Sequence, residues 1–315
     1  GNQCRARGMK VEWGQVDMAT WDAAHAAAAG PLQQDWAYGS TMLTMGSRVM
    51  RACIMAEGQP VGLAQFIVRP LTPLATVALC SRGPLWLQTL SGKEKAMAYR
   101  LLRQTWPAKG LRFMVVTPDE PMNPALGLPG YRRVMSGYST VCLDMAQPLE
   151  ALRAGLDRRW RHRLVGAEKS PLQVQRMGTN PGQYRWLLDM EMQQRQERHL
   201  DGMPPLWFER YAESRKQPAR CLLSLRADIG RDRLAGMMFL IHGEAATYQV
   251  GWTSDAGREW HAHNLMLWRG IEALREKGVR VLDLGGVNTQ RSAGIARFKM
   301  ATGGQVHRLA GTYLL

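Results

Sequence analysis

The chain has 315 residues, with 41 lysines and arginines against 26 aspartates and glutamates, for a formal net charge of +15. A mean hydropathy of −0.29, with no apolar run near the roughly 18 residues of a membrane span, excludes a helical integral membrane protein. Five scattered cysteines, odd in number and without CxxC spacing, argue against a disulfide frame or a zinc site and point to a reducing cytoplasm.

In chain order, residues 9–29 read as a strand around Trp13 and then an Ala-rich helix stopped at Gly30-Pro31. A short helix is predicted from Asp35 to Met42. Arg48–Ala56 and Pro60–Arg69 read as a hairpin about Glu57-Gly58-Gln59. Val77–Cys80 is a short strand closed by Arg82-Gly83-Pro84. Lys93–Trp106 is a helix ended by Pro107 and Gly110, and strands follow at Leu111–Val116 and Ser139–Leu143. Gln147-Pro148 marks a boundary, because Leu149, Leu152, Leu156, Trp160 and Leu164 then recur at spacings of three and four. That periodicity predicts one amphipathic helix over 149–169, with Arg158, Arg159, Arg161, Arg163 and Lys169 on its polar face. Helices at about 181–199 and 207–215 come next, then strands at about 219–226, 233–242 and 244–252. A helix over 264–276, a strand over 279–283 and one or two terminal strands after Gln305 complete the order.

One unit occurs twice. Lys109-Gly110-Leu111-Arg112-Phe113 and Lys277-Gly278-Val279-Arg280-Val281 each follow a helix and open a strand, 168 residues apart. Gly58–Phe66 and Asp232–Phe239, a turn leading into a buried strand, repeat at an offset of 174. A period of half the chain means two related domains rather than a solenoid. The boundaries expected are 1–147 and 148–302, with a C-terminal strand at about 303–315 packing back on the first. Each half reads helix, β-meander, helix, strand, strand. This α/β (α+β) order suits the acyltransferase fold of the GNAT type, present in tandem, with mixed central sheets flanked by helices and no coiled-coil arm.

Several chemistries are absent: there is no P-loop, G-x-S-x-G elbow, HExxH or G-x-G-x-x-G. His261-x-His263 has no carboxylate or cysteine companion, so no metal is expected. The Gln/Arg-x-x-Gly-x-Gly/Ala loop whose backbone N–H groups hold coenzyme A phosphates in ordinary GNAT enzymes is lacking near Arg82-Gly83-Pro84 in the first half and near Ser254-Asp255-Ala256-Gly257-Arg258 in the second. That weighs against acetyl-CoA, and no cofactor is expected.

The C-terminal segment is the most distinctive. Leu282-Asp283-Leu284-Gly285-Gly286 is followed by Gly294-Ile295-Ala296-Arg297-Phe298-Lys299, by Gly303-Gly304 and by Tyr313. With Gln33-x-x-Trp36, Arg82-Gly83-Pro84 and the basic stretch ending Ala167-Glu168-Lys169, the chain resembles the FemABX family of aminoacyl-tRNA-dependent transferases along nearly its whole length. The resemblance implies that Lys299 is the box lysine, a cation that stabilises the oxyanion formed when an amine attacks an acyl ester. It places Arg195, with His199 one turn on, where the family contacts diphosphate, Tyr248 on the acceptor site and Asp119 at an acidic position. Each has a plainer alternative: a surface lysine at a strand end, a solvated helix arginine, a core tyrosine. Trp36 matches an early tryptophan, yet no lysine follows it, a departure from the family's acceptor-diphosphate contact.

The leading expectation is transfer of an aminoacyl group from aminoacyl-tRNA to an amine of a peptidoglycan precursor, a peptide or an amino lipid. The basic surface would hold tRNA phosphates or touch an anionic membrane peripherally, with Trp160, Trp260 or Trp268 available to stack on an unpaired acceptor end. A monomer is expected. The alternatives are an N-acyltransferase using acyl-CoA or an acyl-carrier protein, and a non-catalytic tandem domain that binds RNA or membrane.

Overall fold

The computed structural model describes residues 8–122, 131–197, 202–287 and 293–315. Two compact units divide the chain: Gly1–Tyr138 with Arg308–Leu315, and Ser139–His307.

The first unit opens with β1 (Lys10–Trp13), α1 (Met18–Ala27) and α2 (Trp36–Thr44). The hairpin β2 (Arg48–Ala56) and β3 (Gln59–Thr72) turns on Glu57 and Gly58, both left-handed at φ 52° and 75°, which suits the twist of the flanking strands. Then come β4 (Ala75–Ser81), β5 (Leu85–Trp86), α3 (Gly92–Thr105), β6 (Leu111–Thr117) and β7 (Arg132–Met135). Ser91 and Glu94 start α3 with reciprocal side-chain-to-backbone hydrogen bonds. The sheet runs β1-β2-β3-β4-β6-β15-β7, where β15 is Thr312–Leu314 and β5 pairs off the path with β3. β4 and β6 are parallel and stay paired over their whole length, from Ala75 opposite Leu111 to Ser81 opposite Thr117. Phe66, Ala78, Tyr99, Leu102 and Met114 fill the core beneath them.

The second unit comprises β8 (Ser139–Asp144), α4 (Leu149–Ala154), α5 (Arg158–Glu168), β9 (Gln173–Arg176), α6 (Pro181–Glu197), α7 (Pro205–Glu213), β10 (Leu222–Ile229), β11 (Asp232–His242) and β12 (Ala245–Thr253). It continues through α8 (Asp255–Glu259), α9 (Ala262–Glu276), β13 (Val281–Val287), α10 (Ala293–Met300) and β14 (Gln305–Arg308). The sheet order is β14-β8-β13-β12-β11-β10-β9. The apolar face of α9, with Leu265, Met266 and Ile271, packs into one core with Phe239 and Leu282.

Four local readings change. The stretch 149–169 is two helices: Gly155 caps α4, and Asp157 restarts the chain by accepting from the Arg159 N–H at 2.9 Å. The strand at 139–144, read with the first half, pairs antiparallel with β13 in the second sheet. β7 and β9 have no apolar alternation to reveal them, being Arg132-Arg133-Val134-Met135 and Gln173-Val174-Gln175-Arg176. Trp160 and Trp268 are core residues, 3% and 4% exposed, and cannot stack on an RNA end, whereas Trp260 is exposed.

The duplicated helix-Gly-strand unit stops its helix in two ways. In the second copy Gly278, at φ 85°, lets its own N–H reach Arg275 O and the Val279 N–H reach Leu274 O, closing the end of α9. In the first copy α3 ends ahead of Pro107, and Gly110 at φ 84° turns the chain into β6.

The contact between α9 and β11 leaves no room at Gly270, where a Cβ would sit 2.5 Å from the Phe239 ring. Gly270→Val should therefore destabilise the second unit by about 1–3 kcal/mol, read as a lower urea midpoint, while Gly278→Ala strains the backbone without a clash.

Candidate active site in the second unit

The site forms where two parallel strands part. β12 and β13 pair at three positions, Ala245 with Val281, Ala246 with Leu282 and Thr247 with Asp283, and no further. Immediately beyond, both strands are irregular. β12 shifts register against β11 between the partners of Met238 and Phe239, next to Tyr248. β13 shifts against β8 between Asp283 and Gly286. Gly285 stands at φ 86°, a conformation glycine adopts without strain. Buried Asp283 fixes this turn, accepting from the Gly285 N–H at 2.7 Å and the Thr140 hydroxyl at 3.1 Å.

Lys299 reaches this opening from α10, a helix where the sequence suggested a strand end. Its Nζ donates to Gly286 O at 3.1 Å and lies 5.5 Å from the centre of the Tyr248 ring, so it touches β13 and faces β12. A Cβ on Gly285 would come within 3.5 Å of Nζ. The next residue back holds α10 in place: Phe298 packs on Trp160 at 5.4 Å, and Trp160 Nε1 donates to Phe298 O at 3.2 Å. Burial pulls the Lys299 ammonium below the ordinary lysine range, and the Asp283 carboxylate opposes that shift.

Tyr248 and His263 are hydrogen-bonded, Oη to Nε2 at 2.9 Å, and His263 Nδ1 meets the Thr253 hydroxyl at 3.1 Å. Gly251 makes this possible, since a Cβ there would lie 1.9 Å from Tyr248 Oη. Burial raises the Tyr248 phenol, with the Glu191 charge adding to the shift. Burial, with Arg258 and Lys299 contributing, lowers His263 to about 4, so its ring is neutral at pH 7.

These groups line a cavity of about 900 Å³ together with Arg195, Glu191 and Arg163. Arg195 Nε meets Glu191 Oε1 at 2.6 Å on α6, and Arg195 Nη2 donates to Met203 O at 3.3 Å. Asn264, 5% exposed at the start of α9, also lines the cavity, and its Nδ2 has no partner among the described residues. A buried amide donor of this kind is available to a substrate oxygen.

The residues singled out in the sequence thus fall into groups. Lys299, Tyr248 and Arg195 converge on one cavity. On α5, Trp160, Leu164 and Ala167 face inward, Arg158, Arg159 and Arg163 are exposed, Arg161 is half-buried, Arg163 reaches the cavity wall, and Lys169, which caps the helix end, is exposed. His199 lies outside the described residues. Trp36 and Asp119 belong to the first unit. The Trp36 ring carries the Arg51 guanidinium 3.5 Å above its centre, and Asp119 pairs with Arg82 at 2.8 Å. Sequence reasoning passed over His263, Asn264 and Glu191. His263 was visible as half of a His-x-His pair, and Glu191 as an acid four residues before Arg195 on one helix face.

Residues 151–300 match the family model of the acetyltransferase (GNAT) domain. No curated protein matches the sequence as a relative. Among solved structures the chain is similar to FemX, with 14% identity, a TM-score of 0.78 and 96% of each chain covered. It also resembles a tandem GNAT protein from the clavulanic acid biosynthesis pathway, at 12% identity and TM-score 0.56, covering 97% of this chain and 98% of that one. A third is the C-terminal domain of an Agrobacterium fabrum protein described as a lysylphosphatidylglycerol synthetase, at 15% identity and TM-score 0.53, covering 95% and 92%. The fold expected from the sequence, two GNAT-like domains in tandem, is borne out. The second half matches the GNAT acetyltransferase domain model over residues 151–300.

The depressed His263 has a consequence for stability. Between about 6.5, the ordinary histidine value, and about 4 the unfolded chain binds a proton that folded His263 refuses, so unfolding free energy should fall as pH drops through that window. Urea titrations at pH 7, 5.5 and 4.5 should show this slope, and His263→Gln should flatten part of it.

Proposed function

We propose that the chain transfers an aminoacyl group from an aminoacyl-tRNA to the amine of an acceptor, with the chemistry in the second unit. The observation that carries this reading is Lys299 Nζ at the parting of β12 and β13, 3.1 Å from Gly286 O and facing the Tyr248 ring. A fixed ammonium beside an opened strand pair can meet the oxygen of a carbonyl laid between the strands. Attack by a neutral amine forms the C–N bond and an oxyanion that Lys299 stabilises. Collapse breaks the C–O bond to the ribose, and the proton lost by the amine balances the one gained by the departing ribose oxygen. An ester is already activated, so holding the amine against it supplies much of the rate.

Three further features support an RNA-borne donor. The cavity wall carries Arg163, Arg195 and Arg258, and the exposed arginines of α5 extend the same charge outward. The chain carries +15 overall, a field that attracts polyanions. The motifs Asp283–Gly286 and Gly294–Lys299, which carry the FemABX resemblance, are the segments that form the opening and bring the lysine to it. The acceptor is an amine of a peptidoglycan precursor, a peptide or an amino lipid. The A. fabrum structure is described as a lysylphosphatidylglycerol synthetase, a name that supports including lipids. Arg195 is the residue we assign to an anionic group of a substrate, and Trp36 and Asp119 remain candidates for the acceptor.

The test is transfer of radiolabel from a pool of charged tRNAs to candidate amines, with and without RNase. RNase should abolish transfer, and Lys299→Ala should cost on the order of 10²–10³ in kcat, as removal of one oxyanion donor does. Transfer that survives RNase and requires a CoA or carrier-protein thioester would replace this reading with N-acyl transfer. Polyanion binding without any turnover would leave a binding domain.

A further inference from the structure

The charges around the cavity are unequal. Arg163, Arg195, Arg258 and Lys299 are cations, and among the described lining residues Glu191 is the one carboxylate. Its side chain is 18% exposed, and burial pushes its carboxyl up while Arg195 pulls it down. It stands on α6, which packs against β12, and its charge is felt at Tyr248. A desolvated carboxylate in such a wall weakens the hold on phosphate and offers nothing to a plain acyl chain. It pairs with Arg195 at 2.6 Å. Its presence is favourable if the ligand brings a positive charge to the same cavity.

An aminoacyl ester does so. Its ammonium sits on the carbon next to the carbonyl, roughly 2.5 Å from the carbonyl carbon by standard bond lengths and angles. A group that reads the ammonium must therefore line the cavity that holds the group reading the carbonyl oxygen. Glu191 and Lys299 line one cavity. We infer that Glu191 is the counter-charge for the α-ammonium of the donor, and that it selects aminoacyl over uncharged acyl groups. Arg195, at 2.6 Å, opposes the upward pull of burial on this carboxyl. The inference rests on the transfer reading above and adds the residue that distinguishes an aminoacyl from an uncharged acyl group.

The experiment compares two donors on the same RNA: the charged tRNA pool, and its α-hydroxyacyl counterpart made by deaminating that pool. The wild-type protein should prefer the aminoacyl donor. Glu191→Gln should lose about ten- to a hundredfold in kcat/KM with the aminoacyl donor, the scale of one hydrogen bond to a charged group, and stay within about threefold with the hydroxyacyl donor. Glu191→Asp, which keeps the charge, should recover part of the preference. Equal losses with both donors would mean that Glu191 merely holds Arg195, and no loss with either would mean that it reads nothing; each result overturns the assignment while transfer itself stands. A wild-type protein that transfers neither group overturns the transfer reading and the assignment together.

Discussion

Everything in the second unit depends on the early parting of β12 and β13. Parallel strands normally continue to pair as far as both extend, because each buried N–H and C=O needs a partner. The first unit does this: β4 and β6 remain paired through seven residues. In the second unit pairing ends after three. The physical cause lies in Asp283-Leu284-Gly285-Gly286, where a buried carboxylate takes the Gly285 N–H and glycine supplies the left-handed backbone. Part of the strand's hydrogen bonding is met by side chains: Asp283 takes an N–H of β13, and Lys299 donates to Gly286 O.

The parting creates a cleft with distinct walls. One wall is β12, where Tyr248 and His263 form a neutral hydrogen-bonded pair made possible by Gly251. The other is β13 with Lys299, whose helix is held by Phe298 against Trp160. α6 contributes Glu191 and Arg195, already paired. The cleft therefore offers fixed charge and fixed dipoles rather than an obvious base, an arrangement suited to an activated ester that needs placement and oxyanion stabilisation.

The two-domain plan was legible in the sequence because the helix-Gly-strand unit repeats, and most elements follow from apolar spacing and from Gly and Pro punctuation. Strands β7 and β9 were not, since arginine and glutamine fill their exposed positions and alternation is lost. The break at Gly155–Asp157 was hidden by the helical spacing of Leu152, Leu156 and Trp160, which the second helix resumes in phase. In the site, Lys299, Tyr248 and Arg195 could be named from a family resemblance. Their convergence could not, because it depends on a left-handed glycine and on a helix whose start lies beyond the strand. His263 escaped because an isolated His-x-His suggests a metal or nothing. Its actual role as Tyr248's partner depends on Gly251, twelve residues earlier on another element.

The central claim, that the ester end of an RNA reaches Lys299 in the second unit, is tested most directly by cross-linking. A tRNA whose terminal ribose has been oxidised to a dialdehyde forms an imine with a nearby lysine, and borohydride reduction makes the link permanent for peptide mapping. The account predicts that the link maps to Lys299 and is suppressed by intact charged tRNA. Linkage spread over lysines of the first unit, unaffected by that competitor, would contradict it.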